Sequence, residues 1–136
     1  MDSVEGGALE KQRKQPSAEQ LQIAQLLFSL TDRPFVPPEP KDNSSYLTLD
    51  VGAGSNKNAV SVSRHHVSFM VKDFANEEAA RSRGLATKQF RESNTKREDT
   101  RLLFPDVTPS AILEHQDFFR EMLGLAYQES KNRQEH

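Results

Sequence analysis

Four of the seven residues in Pro34-Phe35-Val36-Pro37-Pro38-Glu39-Pro40 are proline. Each proline fixes φ and removes a backbone donor, so neither a helix nor an interior strand can run through this stretch. It must take an extended, polyproline-like path. The chain is thereby divided: whatever precedes residue 34 ends there, and whatever follows Pro40 starts afresh. The segment reads as a stiff spacer within a linker spanning 32–45, or as a peptide ligand. The spacer reading stands first.

Before the prolines, the pattern predicts an amphipathic helix over 17–31. Ser17 is placed to cap it, and Gln20 three residues later completes a capping box. Leu21, Ala24, Leu27 and Phe28 recur on one face, widened by Ile23, Leu26 and Leu30. Residues 1–16 carry scattered charges, Gly6 and Gly7 without apolar periodicity, and read as disordered. The stretch Met1–Gln15 has no apolar core of signal-peptide length.

After the prolines come two strand-like runs. Tyr46–Val51 alternates, with Leu47, Leu49 and Val51 on one side. The second run extends from Val60 to Val71, and its alternation changes phase across Arg64-His65-His66. A bulge or two short strands would accommodate that slip. The connector Gly52–Asn58 is turn chemistry. Together the runs predict a β-hairpin. A weaker helix is expected over 73–93, with a thin stripe of Phe74, Ala79, Ala86 and Phe90 interrupted by Gly84. The charged stretch from Glu92 to Arg101 reads as loose, and Leu102-Leu103-Phe104 as a short apolar patch. A second strong helix is expected over 109–128. Thr108 caps it, Pro109 takes its first position, and Val107 with Ile112 forms a staple. Ile112, Phe119, Leu123 and Ala126 share a face, and residues 129–136 fray.

The expected fold class is therefore small α+β. It comprises two amphipathic helices, a hairpin and a weaker helix, with disordered termini and a proline-rich linker; residues 46–128 form the small domain.

Chemistry is harder to assemble. The sequence has no cysteine, which excludes disulfides, thiolate metal ligands and a cysteine nucleophile, and fits a reducing compartment. The histidines are His65, His66, His115 and His136. His65 and His66 are adjacent and would point to opposite faces of a strand, so no metal site is expected. Gly52-x-Gly54 lacks the third glycine and the following helix of a dinucleotide loop. Asn43-Ser44-Ser45 matches a glycosylation acceptor but reads as a polar loop. Arg81, Arg83, Lys88, Arg91, Lys96 and Arg97 are basic, yet Glu77, Glu78, Glu98 and Asp99 bracket them; a solvated face is preferred to a nucleic-acid site. A formal net charge of -2 selects no charged partner. No stretch approaches the roughly 20 apolar residues of a membrane span.

One short motif resembles a known docking sequence. His65-His66-Val67-Ser68-Phe69 is similar to the segment by which regulatory subunits bind protein phosphatase 1. The resemblance implies strand addition, with Val67 and Phe69 filling two pockets. The plain alternative is a strand whose Val67 and Phe69 enter this chain's own core.

The functional expectation is a non-enzymatic interaction protein, an adaptor or subunit of a larger assembly, cytoplasmic, or else nuclear or cytoskeletal, and without a cofactor. The two helices present more apolar surface than a short polar chain is expected to cover. Leu21, Leu27, Phe28, Val67, Phe69, Ile112, Phe119 and Leu123 are the candidate partner-binding residues. The partner is another protein, with a phosphatase catalytic subunit or a cytoskeletal or axonemal lattice as alternatives; neither membrane nor nucleic acid is expected. A small α+β enzyme built from scattered residues would instead require a deep polar pocket.

Overall fold

A computed structural model describes residues 15–40, 44–52, 58–93 and 98–134. The expected disorder of residues 1–14, most of the connector after Gly52, the glycosylation-like Asn43, the charged residues 94–97 and the last two residues lie outside that range.

The fold is α+β. Helix α1 (Ala18–Leu30) begins at Ser17, whose hydroxyl accepts from the Gln20 N–H at 3.2 Å while Gln20 Oε1 accepts from the Ser17 N–H at 2.8 Å. Gln20 does more than cap. It is 2% exposed, and its Nε2 donates to the carbonyls of Ser45 and Val62 at 2.7 and 3.3 Å, tying α1 to the sheet.

Strands β1 (Leu47–Asp50), β2 (Asn58–Val62) and β3 (His66–Met70) form an antiparallel meander. The phase change across residues 64–66 produces two short strands: Ser63 N–H donates to the His66 carbonyl at 2.9 Å, closing a tight turn. The register irregularity falls elsewhere, between Leu49 and Asp50.

The expected helix over 73–93 is corrected to three elements. A short 3₁₀ turn (Lys72–Phe74) leads into α2 (Glu77–Ser82), and β4 (Lys88–Ser93) follows. Gly84 is the reason α2 stops. It has φ +79°, its N–H donates to the Arg81 carbonyl, and Leu85 N–H reaches back to Ala80. This is a Schellman termination, with the glycine in the left-handed position just beyond the cap. The stretch read as loose is likewise corrected. Strand β5 (Glu98–Pro105) pairs with β4 on one side and β3 on the other, giving the order β1-β2-β3-β5-β4. The single hairpin of the sequence reading is thus part of a five-stranded antiparallel sheet.

The last helix is two. Helix α3 (Pro109–Glu114), capped by Thr108, gives way at His115 (φ -117°, ψ 40°) to α4 (Gln116–Gln134). Neither proline nor glycine marks this break in the sequence. The expected fraying after residue 128 is corrected as well. Helix α4 runs on through Ser130, which is fully buried, and an Arg133–Glu129 pair at 2.8 Å spans its last turns.

Helices α1 and α4 cover one face of the sheet. Register explains why. Leu47 lies opposite Val62, Leu49 opposite Val60, Val60 opposite Phe69, Val67 opposite Phe104, and Phe69 opposite Leu102. Side chains paired in register share a face, so eight apolar residues from four strands form one surface. Phe69, Phe104, Phe118 and Phe119 interlock over it, with ring centroids 5.3–6.2 Å apart.

The proline segment is no free spacer. Phe35 is buried edge-on against Tyr127, and Val36 N–H donates to the Asp50 carbonyl at 2.8 Å. The segment is a strap that fastens the outer edge of β1 to the helical layer.

Candidate binding face

The alternation that fills the core leaves a second face. Thr48, Ser61, Ser68, Leu103 and Lys88 are consecutive register partners across all five strands and fall on the side away from α1 and α4. A groove of about 440 Å³ lies there, lined by Tyr46, Asn58, Ser61, Ser63, His66, Ser68, Phe90, Arg101 and Leu103. Its two aromatic residues, Tyr46 and Phe90, are 45% and 39% exposed, unusually open for large side chains in this protein. They belong to opposite ends of the sheet, the first beside β1 and the second on β4.

The floor between them is polar. Arg101 Nε donates to Ser68 Oγ at 3.0 Å, which orients the guanidinium along the sheet. Ser63 Oγ donates to the His66 carbonyl at 3.1 Å. Among the described residues, no carboxylate lines the groove. The charges acting on His66 agree with that lining. Burial lowers its pKa first, and the positive Arg101, His65 and Lys88 lower it further.

That shift has a consequence for stability. The unfolded imidazole titrates near 6.5, and the folded one below it. As pH falls through the unfolded value, the unfolded chain takes up the proton first, so stability drops toward the folded pKa. Urea midpoints measured at about pH 7.5 and about pH 5.5 are expected to fall more for the wild type than for His66→Gln. Equal falls would remove His66 as a source of the acid sensitivity.

The arrangement suits binding. Hydroxyls can donate to or accept from a peptide backbone, and the aromatic ends can hold apolar side chains. Among the described residues, no hydrogen bond joins the His66 ring to a hydroxyl or carboxylate. No group of three or more His, Asp or Glu is placed to hold a metal ion, again among the described residues.

The residues singled out from sequence lie elsewhere. Leu27, Val67, Phe69, Ile112, Phe119 and Leu123 are at most 1% exposed and belong to one core, while Leu21 and Phe28 are partly buried against it. The expectation that these apolar faces await a partner is corrected: the sheet and helices cover one another. Val67 and Phe69 lie on β3, the middle strand, with β2 and β5 on its two sides, so strand addition to another protein through them would require β3 to leave the sheet. The basic residues do not converge. Arg81 pairs with Glu77 at 3.4 Å, Arg83 forks onto Asp117 at 3.1 and 2.9 Å, and Arg91 stacks over Phe74. Among the described residues, no helix is long and apolar enough to cross a membrane.

The groove residues were missed because they come from β2, β3, β4, β5 and the segments beside them, and acquire a common face only through pairing. The one local signal was the polar half of each alternating strand, which reads in sequence as ordinary solvent-facing residues. Compared with known proteins, the chain matches no family model, no curated protein and no solved structure.

Proposed function

We propose that the chain is a non-enzymatic interaction module, an adaptor or subunit of a larger cytoplasmic assembly, that engages a partner protein through the open face of its sheet and not through its helices. The observation that carries this reading is the groove between Tyr46 and Phe90, with hydroxyls and Arg101 on its floor. The hydroxyls along the floor, open between two aromatic ends, favour an extended partner segment. Exposed aromatic anchors at the ends of a polar trough are the residues that dominate binding energy at interfaces.

The test compares two exposed truncations. Tyr46→Ala removes an anchor, and Leu113→Ala removes an apolar side chain of α3 that is 50% exposed on the helical side. Partner retained from cytosolic extract is quantified on immobilised protein. Tyr46→Ala is expected to weaken retention by roughly thirtyfold, about 2 kcal/mol for an anchor aromatic. Leu113→Ala is expected to leave it unchanged. Loss with Leu113→Ala and not with Tyr46→Ala would return the interface to the helices.

A further inference from the structure

The two edges of the sheet are treated differently. At β1 the strap lays Val36 alongside Asp50 and takes up a backbone carbonyl. At β4, the other end of the strand order, no described residue pairs with the outer edge. An uncovered edge is a template for another strand, and natural proteins usually blunt it with charge. Strand β4 reads Lys88-Gln89-Phe90-Arg91-Glu92-Ser93, and its charges are disposed in a particular way.

We propose that β4 joins β4 of a second copy of this chain, antiparallel and two-fold symmetric about Phe90, making one continuous sheet. An isologous contact brings each residue opposite the one equally far from the axis. With the axis at Phe90, the two Phe90 residues meet, Lys88 comes opposite the glutamate at position 92, and Arg91 comes opposite Gln89. Lys88 and Phe90 lie on the open face, and Gln89 and Arg91 on the helical face. Opposite charges directly across a strand pair attract, and an aromatic pair adds to them. On the helical face Gln89 Nε2 donates to Glu77 Oε1 at 2.6 Å.

Neighbouring symmetric registers lack this match. An axis at Gln89 sets Lys88 opposite Phe90 and Arg91 opposite Thr87. An axis at Arg91 sets Phe90 opposite the glutamate at position 92. Only the Phe90 axis pairs cation with anion and aromatic with aromatic. The same charges that discourage indiscriminate pairing therefore select one register. The resulting assembly carries two grooves on one side, next to each other across the axis.

The absence of cysteine makes the test clean. Directly opposite residues in an antiparallel pair have Cα atoms roughly 4.5–5.5 Å apart, inside the disulfide range. Phe90→Cys, mildly oxidised, is expected to give a covalent dimer, while Leu113→Cys under the same conditions stays monomeric. Sedimentation equilibrium on the uncross-linked chain is expected to show a dimer. Lys88→Glu should weaken it by about tenfold or more, since like charges then face each other. The double variant Lys88→Glu with Glu92→Lys should restore it. Lys88 and Phe90 are exposed, so these chains should fold, and circular dichroism checks that they do. A monomeric wild type at about 0.5 mM, a weak-binding range, would overturn the proposal. So would a dimer indifferent to Lys88→Glu, or one not regained by the double exchange. Tyr46→Ala tests the groove without touching β4, so the two readings can fail separately.

Discussion

Phe69→Ala is expected to lower the unfolding free energy by about 3–5 kcal/mol, the range for truncating a fully buried phenylalanine. Phe69 is 0% exposed on the middle strand of the sheet. Its ring meets Phe104 edge-on at 5.5 Å and Phe119 at 6.2 Å, with Val60 and Leu102 as register partners on either side. A small domain holds only about 5–15 kcal/mol in total, so the variant should be partly unfolded at body temperature. Urea unfolding followed by circular dichroism measures the effect. Phe69→Leu, which keeps most of the volume, should cost under about 1.5 kcal/mol. The comparison also separates two roles. A phenylalanine displayed for docking could be truncated with a change within about 0.5 kcal/mol. A loss that small would mean that Phe69 is a surface group and not part of a packed core.

How much of this was legible in the sequence depends on how local each determinant is. The starts of α1 and α3 were readable because capping is local: Ser17 with Gln20, and Thr108 with Pro109, each lie within one turn. The alternation of β1, β2 and β3 was readable because one side of each strand enters the core. Strand β4 was not. Lys88, Gln89, Phe90 and Arg91 are all exposed, so this edge strand carries no period-two apolar signal, and its residues were absorbed into a helical stripe. Gly84 was read as a flaw within that helix, when its position four residues before Lys88 marked a stop. The core itself was misjudged for a related reason. Counting apolar faces on isolated helices ignores the sheet that answers them, and without β4 and β5 that sheet looked like a lone hairpin. The binding face was the least legible part, since Ser61, Ser68 and Arg101 belong to three strands and meet only through register.

Phe35→Ala is the second large effect, and it tests whether the proline segment is structural. A spacer residue could be truncated at little cost. Phe35 is instead 5% exposed, and its ring stands edge-on to Tyr127 of α4 at 5.3 Å and 84°. Arg33 also lies over the same tyrosine ring, 5.8 Å from its centroid. The flanking prolines limit the unfolded chain's freedom, so less entropy is lost when this stretch is laid down. Its packing is therefore expected to hold firmly, and truncation should cost about 3–5 kcal/mol. Hydrogen exchange distinguishes how the cost appears. The Val36 N–H, bonded to the Asp50 carbonyl at 2.8 Å, should lose protection in Phe35→Ala well before the amides of β3. Release of the strap would uncover the edge of β1, leaving a second unpaired edge on the sheet, so the variant should also aggregate more readily. If Val36 stays protected and the urea midpoint is unmoved, the strap is held by its prolines alone and Phe35 has no anchoring role.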